Sequence, residues 1–263
     1  MARPIVALLS DFGRRDHYAG TMKGVILGIC PDATLVDISH DVPPHDLQFA
    51  ALELAAAYAF FPTGCVFLVV VDPGVGSARR GVAADTGDYR FVAPDNGVLT
   101  AVFRHTPPKR VVELTERRYA RPTVSRTFEG RDRFAPAAAW LAKGIQLSAL
   151  GRPVTDYQSL DIPVMQVGDD AIDGVVLRID RFGNLVTNID HSAFDRLAAR
   201  GAVEIEVGGH SVTRLVGTYT DIGATEICAL FGSTGQLEIA ARAAPAVERL
   251  GLDLGAPVRI TQR

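Results

Sequence analysis

Cysteine is scarce in this chain of 263 residues, and neither sign of charge dominates. The three cysteines, Cys30, Cys65 and Cys228, are scattered and odd in number, which is typical of reduced thiols in a cytoplasmic protein rather than of a disulfide framework. The 27 basic and 30 acidic residues leave a net charge of −3. We therefore expect neither a nucleic acid nor a membrane as a partner.

Long apolar runs and several enzyme motifs are also missing. No stretch approaches the ~18 apolar residues of a membrane span, and the N-terminus lacks the pattern of a signal peptide. The sequence has no G-x-G-x-x-G after its first predicted strand, no P-loop, no G-x-S-x-G and no C-x-x-C. The histidines lack metal-binding spacing. We therefore expect neither a dinucleotide fold of the usual kind nor a metal site.

The chain contains enough apolar residues for a large core, since 48% of its residues are hydrophobic and 22% are charged. Strand and helix signals alternate through residues 1–155. The strand signals lie at 4–9, 34–38, 65–71, 91–93 and 111–112, and the helix signals at 18–29, 46–60, 96–103 and 132–143. This alternation predicts an α/β fold class, here an N-terminal three-layer domain with a mostly parallel sheet.

The pattern changes after Gly151. Residues 151–170 carry two prolines and little periodicity, and we expect a linker at 156–170. Short strand signals separated by glycine turns follow, at 172–179, 185–189, 203–207, 226–230, 237–240 and 258–261. They predict a second domain, residues 171–263, that is a small β-barrel.

Two of the predicted strands end in an aspartate. Asp11 follows the first strand, where ligands bind in open α/β sheets. Its carboxylate can take both hydroxyls of a ribose, or it can cap the following helix. Asp72 follows the apolar strand at 65–71 and precedes a turn with two glycines and Arg79. Asp72 and an arginine can hold a polar ligand, or form a structural salt bridge beneath the turn.

Three further segments combine turn residues with polar side chains. For Asn96 we favour a turn or cap role, with a ligand contact as the alternative. Phe128 and Gly130 lie in a charged loop before the last helix of the first half; the charges are typical of a solvated loop, but these two residues favour a lined pocket. Asp180 and Asn184 flank a Phe-Gly turn. They can bind an amino-acid ammonium group or stabilise a hairpin.

In this order the motifs resemble the S-adenosyl-L-methionine (SAM) hydroxide adenosyltransferases, which are SAM hydrolases related to the fluorinases and chlorinases. The segments that carry the resemblance are LLSDFG, MKGVI, DPGVGSARR, APDNGVL, TFEGRDRFAPAAA, DRFGNLVTNI and FGSTGQLEIA. The resemblance implies a cytoplasmic enzyme that hydrolyses SAM to adenosine and L-methionine by attack of water at ribose C5′. It further implies a homotrimer with SAM bound between subunits, with SAM as substrate and no cofactor.

The resemblance also implies roles for individual residues. Asp11 resembles the ligand of the ribose hydroxyls. Asp180 and Asn184 resemble the methionine-binding residues, with Ser233 near the methionine carboxylate. Tyr219 is expected to stack on adenine from the neighbouring subunit.

The hydrolases of this family surround the attacking water with an Asp–Arg–His set, and Asp72 and Arg79 match its first two members. Where the family reads T-F-H-G-R-D, this chain has Glu129 in place of the histidine. Halide-using relatives carry a tyrosine at the position of Asp72, so the chain resembles the hydrolase branch. We predict that Asp72, aligned by Arg79, holds and partly deprotonates the water. Glu129 either shares that role or attracts the sulfonium.

Two other functions stay open at this point. The first is a non-catalytic SAM- or adenosine-binding sensor, whose chemistry was lost with the histidine and which predicts binding without turnover. The second is a halide-dependent SAM lyase. Asp72 argues against the lyase, because a carboxylate repels a halide at the position of the nucleophile.

Overall fold

The first of two compact units contains a six-stranded sheet. A computed structural model describes residues 3–263 and divides the chain into Met1–Asp161 and Ile162–Arg263. The elements of the first unit are β1 (Ile5–Ser10), α1 (Tyr18–Ile29), β2 (Thr34–Ser39), α2 (Leu47–Ala57), β3 (Val66–Val70), β4 (Gly81–Asp85), β5 (Arg90–Pro94), α3 (Thr100–His105), β6 (Arg110–Glu113) and α4 (Ala135–Ala142). The sheet has the order β2-β1-β3-β5-β4-β6. The strands β2, β1, β3 and β5 are parallel, and β4 is antiparallel to both of its neighbours. This confirms the predicted α/β fold with a mostly parallel sheet.

The central strand β3 explains why one segment of the sequence is entirely apolar. Its side chains alternate between the two faces of the sheet, as in any strand. Leu68 and Val70 pack in the core that includes residues of α1 and α4. Phe67 and Val69 pack in the opposite core, which includes residues of α2 and α3. Both faces of β3 are therefore covered, and no position on it faces water.

Three features of the first unit differ from the sequence prediction. The strand β4 was not expected, because its Val-Ala-Ala segment is short and carries weak strand propensity. The helix predicted from residue 96 begins only at Thr100, since the residues before it form a turn. The helix predicted over 132–143 is split into a π-helical turn, Gly130–Phe134, and α4.

The second unit is built around antiparallel strands. Its elements are β7 (Gln166–Val167), β8 (Ala171–Ile179), β9 (Leu185–Asp190), α5 (His191–Ala198), β10 (Val203–Val207), β11 (His210–Val212), β12 (Ile227–Phe231), β13 (Gln236–Ala241), α6 (Ala246–Leu250) and β14 (Pro257–Gln262). The strand order is β11-β10-β14-β8-β9-β13-β12, with β7 beside β8. The long strand β8 pairs with both β14 and β9, which curls the sheet into a nearly closed barrel. The predicted C-terminal β-barrel is confirmed.

Two short helices interrupt this unit, where the sequence predicts strands alone. The helix α5 begins after Asp190, whose side chain accepts a hydrogen bond from Ala193 N and caps it. Phe194 and Leu197 of α5 pack into the core of the barrel. The helical spacing of Phe194 and Leu197 is the sequence signal from which α5 could have been predicted.

Residues at the start of the predicted linker, 156–170, hydrogen-bond within the first unit. Gln158 N donates to Asp95 at 2.7 Å, and Leu160 N donates to Thr100 Oγ1 at 2.8 Å. The predicted domain limits 1–155 and 171–263 stay predictions. In the part of the chain that the structure describes, no helix has the length and apolar character needed to cross a membrane.

Candidate active site

The carboxyl ends of β1 and β3 place two predicted site residues at the same edge of the sheet. The two strands are adjacent and parallel, so the residues that follow them share one edge. A cavity of about 310 Å³ lies there. Its lining includes Asp11, Tyr18, Asp72, Phe128, Glu129 and Gly130. The first unit thus brings five of the predicted site residues, Asp11, Asp72, Phe128, Glu129 and Gly130, to a single cavity.

Asp72 and Glu129 are joined through one guanidinium group. Arg79 Nε donates to Asp72 Oδ1 at 2.7 Å, and Arg79 Nη2 donates to Asp72 Oδ2, which makes the pair bidentate. The same Nη2 donates to Glu129 Oε2 at 2.6 Å. The side chains of Asp72, Arg79 and Glu129 are 7%, 10% and 13% exposed. Glu129 therefore points into the site and occupies a charged cluster with Asp72 and Arg79.

A second arginine completes this cluster. Arg133 lies one helical turn after Glu129, and its Nη1 donates to Glu129 Oε1 at 3.1 Å while its Nη2 donates to Leu114 O at 2.9 Å. Each oxygen of Glu129 thus faces a different arginine. Two carboxylates and two guanidinium groups balance in charge, which is the condition under which buried ions are tolerated. The sequence analysis assigned no role to Arg133; its spacing of four residues from Glu129 was the available signal.

Electrostatics hold Arg79 in its charged state. Burial alone would lower its pKa, but hydrogen bonds and charge interactions with Asp72 and Glu129 raise the pKa of Arg79 above its usual value. Its guanidinium carbon also lies 5.1 Å from the centre of the Phe134 ring. Arg79 is consequently a fixed cation that orients both carboxylates.

The loop from Asp72 to Arg80 is shaped by a glycine. Gly76 has a φ of +79°, and a Cβ placed on it would lie 2.6 Å from Arg126 O. Arg126 Nη2 also donates to Gly76 O at 3.0 Å. Only glycine combines this left-handed backbone with so close an approach. The glycine lets the loop return so that Arg79 faces Asp72.

Asp11 is held by the segment before α2. Its Oδ2 accepts a hydrogen bond from His45 N at 2.9 Å, and the ring of His45 lies 4.0 Å from the same oxygen. The backbone of His45 is left-handed, with φ of 67°, a conformation that is costly for a residue other than glycine. The Asp11 carboxylate does not cap α1, whose N-terminus has no side-chain cap.

Phe128 and Gly130 form an apolar wall beside the charged cluster. The Phe128 ring packs edge-on against Phe12 and Tyr18, at centroid distances of 5.8 and 5.0 Å. A Cβ placed on Gly130 would lie 3.1 Å from Met22 Sδ. The wall excludes water from one side of the cavity, and it is close-packed at Gly130.

Asn96 has a structural position. Its Nδ2 donates to Val71 O at 2.9 Å, and its Oδ1 accepts from Val98 N at 3.2 Å. Both ends of the amide are bonded to backbone, which fixes the turn after β5 beside the end of β3. Asn96 does not line the cavity described above, and its predicted contact with substrate stays a prediction.

The second unit has its own cavity, of about 850 Å³. Its lining includes Asp180, Asn184, Tyr219, Ser233, Glu238 and Arg242. The four predicted residues of this unit therefore share one cavity. Within it Asp180 forms the Asx turn that the sequence allows, since Oδ1 accepts from Phe182 N and Asn184 N, and Oδ2 accepts from Asn184 Nδ2 at 2.9 Å.

Glu238 is a buried carboxylate that the sequence analysis missed. It is 7% exposed, and its Oε2 accepts a hydrogen bond from the Tyr219 hydroxyl at 2.9 Å. Burial raises the pKa of Glu238, and Asp180 adds to this rise, while Tyr219 and Arg178 oppose it. Burial and the neighbouring Glu238 raise the pKa of Tyr219 to about 12. The sequence signal for a buried carboxylate was the position of Glu238 inside the otherwise apolar segment Leu-Glu-Ile-Ala.

Among residues 3–263, no group of three or more His, Cys, Asp and Glu side chains is arranged to hold a metal ion. All three cysteines are free and buried. The side chains that line the two cavities include carboxylates, guanidinium groups, hydroxyls, an amide and the imidazole of His45.

Comparison with known proteins gives matches along nearly the whole chain. A family model described as the SAM hydroxide adenosyltransferase N-terminal domain matches residues 6–151, and the corresponding C-terminal domain matches residues 174–259. An (R)-S-adenosyl-L-methionine hydrolase from Thermus thermophilus is 40% identical over 98% of this chain and 99% of its own length. One from Salinispora tropica is 35% identical, over 98% of each protein. A fluorinase from an Actinoplanes species is 28% identical, again over 98% of each.

Solved structures are similar over the same extent. An uncharacterised conserved protein from Thermotoga maritima has a TM-score of 0.92 and 35% identity, and the match covers 98% of this chain and 100% of that chain. A conserved hypothetical protein from Thermus thermophilus has a TM-score of 0.81 and 39% identity, with the same coverage.

Proposed function

Because this chain belongs to the SAM hydroxide adenosyltransferase family, we propose that it hydrolyses SAM to adenosine and L-methionine by attack of water at ribose C5′. It is an enzyme of the SAM hydrolase type. The observation that carries the chemical assignment is the Asp72–Arg79–Glu129 cluster, which lies on a cavity that also contains Asp11.

The reaction is an in-line displacement in which a neutral thioether leaves. Water is a weak nucleophile, so the protein must fix its position and accept a proton from it. Placement of water and C5′ at contact distance supplies several kcal/mol, up to about 7–11 kcal/mol in well-oriented systems. A general base supplies a further factor of about 10²–10⁴ in rate. Enclosure of the sulfonium in a dry cavity favours loss of its charge in the transition state.

In this proposal Asp72 holds the attacking water. Both of its oxygens already accept hydrogen bonds from Arg79, but each carboxylate oxygen has a second lone pair for a water proton. Arg79 fixes the direction of that lone pair. Glu129 is the second carboxylate at the same water, and it replaces the histidine that the family pattern has there.

The other site residues bind the substrate. Asp11 takes the ribose hydroxyls, and the hydrogen bond from His45 N to its Oδ2 holds the carboxylate in place. Phe128 and Gly130 bound the space around C5′. Asn96 contributes through the shape of its turn, which supports the end of β3.

The cavity of the second unit binds the rest of SAM. Asp180 and Asn184 take the methionine ammonium group, and Asp180 Oδ2 retains a lone pair for it. Ser233 lies near the methionine carboxylate. Tyr219, in the same cavity, stacks on adenine. The subunit that contributes Tyr219 and this cavity neighbours the one that contributes Asp11 and Asp72, so that the complete site lies at a subunit interface of a homotrimer. The resemblance of the motifs to the family supports these assignments, as it supports a cytoplasmic location and a reaction that needs no cofactor.

Oxygen labelling tests the proposed function directly. Purified protein is incubated with SAM in chloride-free buffer made with oxygen-18 water, and the products are identified by mass spectrometry. We expect adenosine labelled at its 5′ oxygen, and unlabelled methionine. Intact SAM together with saturable SAM binding would favour the sensor. Formation of 5′-chloro-5′-deoxyadenosine after addition of chloride would favour the lyase.

A further inference from the structure

Glu129 lies on two cavities. One is the cavity at the ends of β1 and β3, which also contains Asp72. The other has a volume of about 350 Å³ and is lined by Glu116, Arg117, Ala120, Val124, Glu129 and Arg133, among others. Glu116, Arg117 and Val124 are exposed residues, so this second cavity, which we call the rear cavity, opens to solvent.

The two oxygens of Glu129 accept hydrogen bonds from different arginines. Oε2 accepts from Arg79, the partner of Asp72. Oε1 accepts from Arg133, which lines the rear cavity and does not line the front one. A single carboxylate thus connects the cluster at the reaction cavity with a solvent-filled space on its other side.

Hydrolysis of SAM needs a route of this kind. SAM, a sulfonium cation, reacts with water to give adenosine, methionine and one proton. The oxygen of water forms the bond to C5′, the electron pair of the C5′–S bond stays on sulfur, and the protonated oxygen must lose a proton. A route that does not pass through the front cavity can carry this proton to bulk water while the products are still bound.

We propose that Glu129 passes this proton to water in the rear cavity. The proton leaves the attacking water for Glu129 Oε2, at the side of Arg79. The carboxyl group then turns about its Cγ–Cδ bond, so that the protonated oxygen takes the place of Oε1 beside Arg133, and the same proton passes to a water molecule of the rear cavity. Glu129 is then a carboxylate again, and solvent water carries the proton away. The cluster favours release: its two carboxylates and two guanidinium groups are neutral together, so a bound proton leaves a net positive charge beside two arginines.

The inference rests on the proposed function, and adenosine formation is its assay. In Glu129→Gln the side chain keeps its shape but cannot carry the proton. We expect kcat to fall by about 10²-fold or more, with the KM for SAM close to the wild-type value. In Glu129→Ala, added formate is expected to restore part of the lost kcat, because it is a small carboxylate that fits the space left by the side chain.

The rear cavity is tested separately by filling it. Ala120→Trp adds bulk there without touching the front cavity, and exposed Ala199 on the second unit gives the matched control Ala199→Trp. In the Glu129→Ala background, we expect Ala120→Trp to abolish rescue by formate and Ala199→Trp to leave it. With Glu129 intact, Ala120→Trp should lower kcat and raise the solvent deuterium isotope effect on kcat.

The results distinguish a failure of the proposed function from a failure of the proton route through the rear cavity. If wild-type protein forms no adenosine, the proposed function itself fails. If wild-type protein forms adenosine while Glu129→Gln keeps its kcat, or while Ala120→Trp leaves kcat, the isotope effect and formate rescue unchanged, then the exit through the rear cavity is wrong and the proposed function stands.

Discussion

At the scale of single residues, the site depends on how each carboxylate is held. Asp72 is bound at both oxygens by one arginine, whereas Glu129 is shared between two. Asp72 therefore has a single fixed orientation toward the cavity. Glu129 has one oxygen beside each of two arginines, Arg79 and Arg133.

Asp72→Asn tests the role of this oriented carboxylate. The amide is a weaker hydrogen-bond acceptor for the attacking water and leaves Arg79 without its bidentate carboxylate partner, so we expect kcat to fall by about 10²–10⁴-fold while SAM still binds. Steady-state kinetics of adenosine formation measure both effects. Asp156→Asn is the matched control, since it removes an exposed carboxylate that pairs with Arg80 outside the cavity; equal losses in both variants would contradict the assignment.

Glu238 gives a prediction about pH. Its pKa is raised in the folded protein, chiefly by burial, so folding is favoured by the protonated form. The contribution of protonated Glu238 to the free energy of unfolding is fully present below the pKa that this group has in the unfolded chain. It is lost as the pH rises through the higher pKa of the folded state. We expect Glu238→Gln to remove this part of the decline in stability, because glutamine does not ionise. Its amide oxygen still accepts the hydrogen bond from Tyr219, so the contact is kept.

Urea unfolding from about pH 4 to about pH 8 measures this dependence. The exposed Glu206 of β10 provides the control variant Glu206→Gln. We expect the control to follow the wild-type curve. A Glu238→Gln curve with the wild-type slope would show that the burial of this carboxylate does not affect stability.

At the scale of elements, the parallel pair β1–β3 creates the site and the returning loop after β3 completes it. The loop must reverse within a few residues to place Arg79 against Asp72. The left-handed Gly76 permits that reversal beside Arg126. The π-helical turn Gly130–Phe134 follows Glu129 and places Arg133 within hydrogen-bond distance of it; such turns are frequent at functional sites.

Two neighbouring glycines give a paired test of the loop. In Gly76→Ala the Cβ meets a carbonyl oxygen and the backbone is left-handed, so we expect a loss of stability of about 1–3 kcal/mol, and a lower kcat because Arg79 shifts. In Gly74→Ala the Cβ meets only ordinary contacts, the closest at 3.4 Å, and stability should stay near the wild-type value. Urea unfolding of both variants measures the two free energies of unfolding. Equal values would show that the loop relaxes freely around the added methyl group.

At the scale of the whole molecule, the chemistry is divided between two cavities in two compact units. In our proposal the first unit binds the ribose and the attacking water. The cavity of the second unit, which is lined by acidic and aromatic residues, binds the amino acid and the base. Our proposal that SAM is bound at a subunit interface makes activity dependent on the assembly.

Sedimentation velocity tests that dependence. We expect a species of three times the 28.1 kDa of one chain, and a specific activity that falls on dilution below the concentration at which this species dissociates. The two measurements are made on the same samples with adenosine formation as the assay. Full activity in a monomer would contradict the homotrimer and the shared site.

The sequence by itself determined the architecture and most of the candidate residues. Alternating apolar periods predicted the α/β and β-barrel units, because burial on one face or two imposes a local repeat that can be read along the chain. The position of Asp11 after the first strand predicted a ligand-binding position, and Asp72 was predicted to follow a second strand. The two cavities contain these residues, together with Phe128, Gly130, Asp180, Asn184, Tyr219 and Ser233.

The tertiary structure decided how those residues are connected. Arg79 meets Glu129 across 50 positions of sequence, and the rear cavity exists only because Arg133 and residues near Ala120 close around Glu129. The burial of Glu238 likewise depends on residues distant in sequence that pack around it in the folded chain. Local sequence patterns encode spacing along one element, whereas contacts of this kind depend on which distant backbones pack together, and so they become visible only in the folded chain.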